Sequence, residues 1–202
     1  MPASTLILAS ASPRRFDLLQ AAGWEFAVEP SRADESLTGQ PTPQKAAREL
    51  AQRKAQAVAD LHDGEQAWVV GADTIVALGE QAGAPLLGKP ADEGEARIML
   101  GALSGTQHAV VTGVAVVHAA SGQAWVSEET TRVHMREIRP EEIEAYVASG
   151  EWRDKAGGYA IQENADAFVT QLEGGGFDNV VGLPVALTRS LLQRAAFPEF
   201  LP

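Results

Sequence analysis

The chain opens on a short unbroken apolar run, Thr5-Leu6-Ile7-Leu8-Ala9, the pattern of a strand buried on both faces. Polar punctuation follows at once. In Ser10-Ala11-Ser12-Pro13-Arg14-Arg15, Ser12 suits an N-cap and Pro13 the first helical position. A helix is therefore expected, with Leu18, Leu19 and Ala22 on its apolar side and Gly23 at its end. Residues 24–28 alternate like a strand, and residues 31–41 read as loop. Thr42 and Pro43 repeat the cap-plus-proline signature before a second helix, whose buried stripe would be Ala46, Ala47, Leu50, Ala51, Ala57, Val58 and Leu61. Trp68-Val69-Val70-Gly71-Ala72 is another apolar strand, ending at Asp73-Thr74 and resuming over residues 75–78 before a Gly/Pro-rich turn. A third helix is expected over residues 93–103. Residues 109–119 and 125–133 flank Ser121-Gly122 as a long antiparallel hairpin. Pro140 starts a fourth helix that Gly150 ends, Gly157-Gly158 precedes a short strand, residues 168–172 form another, and Pro184 opens a last helix through Arg194. Early alternation of strands and helices with a later hairpin argues for an α/β fold with a mixed sheet and flanking helices. With no repeat and no low-complexity linker, residues 1–202 read as one domain.

Composition narrows the function classes. Hydrophobic residues make up 45% of the 202, which excludes a disordered chain. Sixteen basic residues against 27 acidic ones leave a formal charge of −11, which repels a nucleic-acid backbone and an anionic membrane surface. A small anionic substrate fits such a chain only where its few cations gather locally. There is no cysteine, so thiol catalysis and thiolate metal sites are excluded. No export signal or membrane-length apolar run is evident, so the expectation is a soluble, cytoplasmic protein without a nucleic-acid or membrane partner.

Several segments carry candidate chemistry. The run Gly83-Ala84-Pro85-Leu86-Leu87-Gly88-Lys89-Pro90 nearly has P-loop spacing, but Pro90 stands where a Ser or Thr should bind magnesium, and it offers no N–H. A P-loop is rejected, which leaves Lys89 as an anion contact from a turn. Ser10 to Arg15 joins a buried strand to a helix N-terminus, where free N–H groups, two hydroxyls and Arg14 or Arg15 suit an anion; a capped helix with two solvated arginines is the alternative. Asp73, at the expected end of a strand, could bind a divalent cation or take a proton from water, or could be a turn aspartate. Asp34-Glu35, in the loop before the second helix, could supply a second carboxylate to the same hard cation, or could simply be a solvated acidic loop in a chain this acidic. Arg53 and Lys54 sit opposite or beside the apolar stripe of the second helix and read as solvated, whereas Lys155 fits either a phosphate contact or an ordinary loop lysine. The four histidines show no metal-ligand spacing, and no Gly-x-Ser-x-Gly elbow appears.

Taken together, Leu8 to Arg15, Gly71-Ala72-Asp73-Thr74-Ile75-Val76, Gly88-Lys89-Pro90, Leu103-Ser104-Gly105, Asp154-Lys155-Ala156-Gly157-Gly158-Tyr159-Ala160-Ile161-Gln162 and Asn179-Val180-Val181-Gly182-Leu183-Pro184 occur in the order of the Maf family of nucleoside triphosphate pyrophosphatases. The resemblance spans nearly the whole chain. It implies two lobes around a central cleft and hydrolysis between the α- and β-phosphates, yielding a nucleoside monophosphate and pyrophosphate with Mg2+ or Mn2+. It places the catalytic base on Asp73 and phosphate or metal contacts on Ser10, Arg15, Glu35, Lys54 and Lys89. One departure is Glu173-Gly174-Gly175-Gly176, where the family often has Gly-Ser. Similar proteins are often homodimers, and Maf proteins are also associated with septum formation, so the alternative is a nucleotide-binding regulator of cell division without significant turnover. A phosphatase releasing only the terminal phosphate is a third reading.

The family resembles two branches that differ at three positions: Trp, Gln and Glu where methylated GTP is cleaved, and Arg, Thr and Gln where dTTP and UTP are. Arg14, Thr74 and Gln162 match the second. Chemistry gives this separate weight, since a Gln amide offers one donor and one acceptor to the N3–H and O4 edge of uracil or thymine, whereas a Glu offers only acceptors. Adenine could also pair with Gln162, so the amide alone leaves the base open.

Overall fold

A run of eleven residues with almost no exposed side chain forms only where both faces of a strand are covered. That strand, β3 (Ala67–Ala77), organises the molecule. The structure is a computed structural model describing residues 5–162 and 164–198. Around β3 lie β1 (Thr5–Leu8), α1 (Pro13–Ala21), β2 (Ala27–Val28), α2 (Pro43–Ala59), β4 (Leu86–Leu87), α3 (Glu93–Leu103), β5 (Gln107–His118), β6 (Gln123–Met135), α4 (Pro140–Ser149), β7 (Val169–Gly174), α5 (Phe177–Val181) and α6 (Val185–Arg194), with short 3-10 turns at Asp60–His62, Ala156–Gly158 and Asn164–Phe168. The sheet runs β2-β1-β3-β5-β6-β7, with β4 added to β3. β1 pairs in parallel with β2 and β3, and every other pairing is antiparallel. The expected mixed α/β sheet with flanking helices is what forms.

Alternation along β3 sorts the core. Trp68, Val70 and Ala72 pack with Leu6, Leu8, Leu19 and Leu191 under α1 and α6. Val76, on the same face, joins a separate cluster with Leu100, Val110, Tyr146 and Phe168 under α3 and α4. Both clusters lie on the front face of the one sheet. Behind the sheet, α2 covers both ends: Ala51, Ala55 and Val58 pack on Ile7, Val69 and Ala115, and Ala46, Ala47 and Leu50 pack on Ile75, Ala77 and Val111. α2 lies unusually close because β3 and β5 carry glycines beneath it. A Cβ on Gly71 would come 2.4 Å from the Ala51 carbonyl oxygen, and one on Gly113 would come 2.2 Å from that of Ala47. Among the described residues, no helix is long and apolar enough to cross a membrane.

Four expectations need correction. Asp73 does not end a strand; it lies inside β3, because pairing with β5 continues without a break from Trp68 to Ala77. The stripe of α2 uses Ala55 and Ala59, while Ala57 is half-buried and Leu61 lies exposed in the 3-10 turn after the helix has ended. Only Ala27–Val28 of the alternating segment 24–28 pairs as strand. No strand follows Gly157-Gly158, since both glycines take positive φ (72° and 71°) and turn the chain instead. The five-residue helix α5 has no counterpart in the pattern reading.

Candidate active site

One edge of β3 is interrupted. β1 pairs with it only from Ala67 to Val70, and β4 only at Val76 and Ala77. Between them, residues 71–75 have a strand partner on the β5 side alone, among the described residues. A cleft of about 690 Å³ opens at this gap. Successive side chains of a strand point to opposite faces, so Asp73 and Thr74 serve the two sides of one opening.

On the α2 side, the Asp73 carboxylate meets the Lys54 ammonium at 2.5 Å. The same ammonium lies 3.0 Å from Glu35 Oε1, which reaches in from the loop before α2. The glycine-permitted approach of α2 makes this possible, bringing Lys54 from mid-helix down to the strand. Asp34 takes no part. It turns outward, where exposed hydrogen bonds to Ser36 hold its carboxyl below the usual range.

On the α1 side, the predicted Ser-Pro start is realised in detail. Ser12 Oγ caps the helix by accepting from the Arg15 amide at 3.5 Å, and Ser10 Oγ accepts from the Ser12 amide at 3.2 Å. The Arg15 side chain folds back over this turn. Its Nη1 donates to Ser10 Oγ at 3.2 Å, its Nε to the Gly182 carbonyl at 2.8 Å, and its Nη2 to Thr74 Oγ1 at 3.1 Å. Burial lowers the Arg15 pKa, opposed by the nearby Asp73 and Glu35 charges. Arg14 reaches across to donate to the Asp154 carbonyl at 3.4 Å, and Asp154 itself takes a left-handed φ of 61°.

The far wall comes from two irregular segments. Gly157 N donates to the Gly88 carbonyl at 2.9 Å, which ties the Lys155 loop to the Lys89 loop. Lys89 is exposed at the cleft, whereas Lys155 is buried in its wall and donates to the Glu151 carbonyl. Tyr159 is anchored by a 2.8 Å hydrogen bond to His108 Nε2, and the Ala160 amide donates to Tyr146 Oη at 3.2 Å. Beyond these anchors Gln162 is exposed along the cleft. Burial pushes the Tyr159 hydroxyl pKa up and holds His108 down at about 4.

Ser10, Arg14, Arg15, Glu35, Lys54, Asp73, Thr74, Lys89, Lys155 and Gln162 thus all line one cleft, although they come from segments far apart in the chain. Five cationic side chains face Glu35, Asp73 and Asp154, so the cleft is locally positive in a chain of net charge −11. Asp154, Tyr159, Asn179 and Gly182 lie in the blocks that carry the family resemblance, but no role was read for any of them. Thr112, behind Thr74, lies in no such block. Glu35 and Asp73, whose carboxylates meet at the Lys54 ammonium, are the hard oxygen donors that could hold a divalent cation here. Among the described residues, no group of three or more acidic or histidine side chains forms a self-sufficient metal cage.

Residues 5–195 match the family described as Maf-like protein. A Pelotomaculum thermopropionicum protein named dTTP/UTP pyrophosphatase is 46% identical over 95% of this chain and 97% of its own length. Proteins of the same name from Moorella thermoacetica (47% identical, 94% of both chains) and Maricaulis maris (45%, 98% of this chain and 91% of that protein) match similarly. The solved Staphylococcus aureus Ham1 protein aligns with 65% of this chain and 72% of its own at 14% identity, with a TM-score of 0.45.

Proposed function

The chain belongs to the Maf family, and from that membership we propose that it is a nucleoside triphosphate pyrophosphatase cleaving dTTP and UTP to the nucleoside monophosphate and pyrophosphate. The observation that carries the reading is the interrupted edge of β3. Asp73 on one face and the Arg15 fork on the other are held within one positively charged cleft.

In this mechanism the triphosphate lies across the gap. The α1 N-terminus, Ser10 and the free N–H groups of Arg15 bind phosphate oxygens on one side, with Lys89 and Lys155 on the other. Asp73 takes a proton from a water whose oxygen forms a bond to the α-phosphorus, while the bond from that phosphorus to the bridging oxygen breaks. Pyrophosphate leaves with the electron pair. Lys54 orients the Asp73 carboxylate and stands, with Lys89, where charge grows on the leaving group. Glu35 and Asp73 would hold the divalent cation, Mg2+ or Mn2+, which neutralises phosphate charge when bound. Gln162 reads the pyrimidine edge with one donor and one acceptor, and Arg14 and Thr74 complete the base and sugar end.

Incubating the protein with dTTP, UTP, GTP and methylated GTP in magnesium or manganese, and resolving the products, tests this reading. Pyrophosphate released mainly from dTTP and UTP is expected. Orthophosphate as the product, or faster cleavage of methylated GTP, would overturn it.

A further inference from the structure

Behind Thr74 a polar seam runs through an otherwise valine- and alanine-rich sheet. Thr112, Thr131 and Asn179 are all fully buried. Thr74 and Thr112 are direct cross-strand partners on β3 and β5, and their hydroxyl oxygens are 3.0 Å apart. Thr112 Oγ1 lies 2.8 Å from the Asn179 carbonyl oxygen. The Asn179 side-chain amide donates to the Val110 carbonyl at 3.0 Å and to Thr131 Oγ1 at 2.8 Å, so α5 is fastened to both β5 and β6. Burying three such groups costs stability unless they are mutually satisfied, and a valine has nearly the shape of a threonine. A seam of this kind is therefore a choice of polarity rather than of packing.

Its direction can be deduced. A carbonyl only accepts, so the single Thr112 hydrogen goes to Asn179. Thr112 must then accept from Thr74, which spends the one hydrogen of Thr74. Thr74 is left with lone pairs only. One of them accepts Arg15 Nη2 at 3.1 Å, and the guanidinium is pinned again by the Gly182 carbonyl at the end of α5. Two of the three hydrogen bonds that hold Arg15 thus lead back to Asn179, one through Thr112 and Thr74, the other through its own short helix, while the third goes to Ser10. Two of the five guanidinium donors remain for an anion, and their aim depends on these pins.

We propose that Thr112 is a positioning residue. It locks the Thr74 hydroxyl as an acceptor and so fixes the plane of the Arg15 fork toward the phosphates. The proposal rests on the nucleotide reading of the cleft. One consequence is that Thr74 cannot donate to a phosphate oxygen; toward the cleft it offers a lone pair to a donor such as a sugar hydroxyl or a ring N–H.

The test uses the whole protein and a non-hydrolysable α,β-methylene UTP, with binding measured by calorimetry beside the melting temperature, and UTP turnover for kcat and KM. Thr112→Val is expected to weaken analogue binding and raise KM by about ten-fold with little change in kcat, because one charge-assisted contact is misaimed in ground and transition states alike. Thr112→Ser, which keeps the hydroxyl, is expected to restore binding to near wild type. In a double-mutant cycle with Thr74→Val, the Thr112→Val change should add almost nothing, since the chain is already cut. A Thr112→Val protein that binds as wild type, a Ser variant that fails to rescue, or losses that multiply across the cycle would overturn the proposal. Should Thr112→Val not fold, Thr74→Val against Thr74→Ser carries the same test from the cleft end, and equal binding by both would overturn it. A wild-type protein that does not bind the analogue would instead overturn the nucleotide reading itself.

Discussion

The two walls of the cleft are built on opposite plans. The α1 wall is a capped helix N-terminus against a strand, and its arginine makes three side-chain hydrogen bonds to Ser10, Thr74 and Gly182. The far wall is irregular backbone turned by Gly157 and Gly158, tethered at Gly88, His108 and Tyr146, and it ends in an exposed Gln162. Rigid, pre-aimed donors suit a group of fixed shape and charge such as a phosphate, because no ordering cost falls due on binding. A tethered segment with an exposed side chain on the cleft suits discrimination among bases, where one side chain decides. The contrast separates anchoring from choice: the first wall should govern kcat/KM for every nucleotide alike, the second selectivity.

Substitutions can break or sharpen that division. The largest effect is expected at the gap between the walls. Asp73→Asn should keep analogue binding while kcat falls by about three orders of magnitude, the upper range for losing a general base; undiminished kcat would remove Asp73 from that role. Next comes the rigid wall. Arg15→Lys retains charge but not the fork, and a fall of about a hundred-fold in kcat/KM for dTTP and UTP alike is expected. A loss confined to one of the two nucleotides would mean that this wall also selects.

The tether of the far wall gives a smaller, pH-dependent effect. His108 is held at about 4, below the ordinary 6.5, because burial disfavours its charged form. The unfolded chain therefore binds more protons in that window. This contribution to stability is complete above pH 6.5 and is lost as pH falls toward 4, by up to about 3 kcal/mol. Denaturant titrations between pH 7 and 4 should show a steeper loss for the wild type than for His108→Leu, and parallel curves would contradict it. The smallest change is expected at Gln162. Gln162→Glu should lower the preference for UTP over methylated GTP by about ten-fold, the worth of one mismatched hydrogen bond, with kcat on the preferred nucleotide less affected.

How much of this was legible beforehand depended on how local the cause was. The starts of α1, α2 and α4 are written locally, in Ser12-Pro13, Thr42-Pro43 and Pro140, and the observed helices begin at those prolines. Asp73 was recognisable as a site residue but misplaced at a strand end. A polar residue after five apolar ones suggests termination, whereas β5 pairing on the hidden edge carries the strand onward. Leu61 fits the helical period and is nonetheless exposed, since the helix has already tightened into a 3-10 turn. Thr112 and Asn179 were the least legible. Thr112 is a lone polar residue in an apolar run, Asn179 stands in a matched block with nothing to mark its role, and the partners that give them meaning are 38 to 69 positions away.

The bare places at Gly71 and Gly113 act at a distance. Neither has a side chain to offer a ligand, yet the absence of a methyl group at each lets α2 settle low enough for Lys54 to meet Asp73. The reach between those two partners is thus calibrated by emptiness, in the way a thinner washer lowers a lever onto its stop. Filling either hollow would lift the rod that carries the ammonium while leaving every reactive group chemically intact.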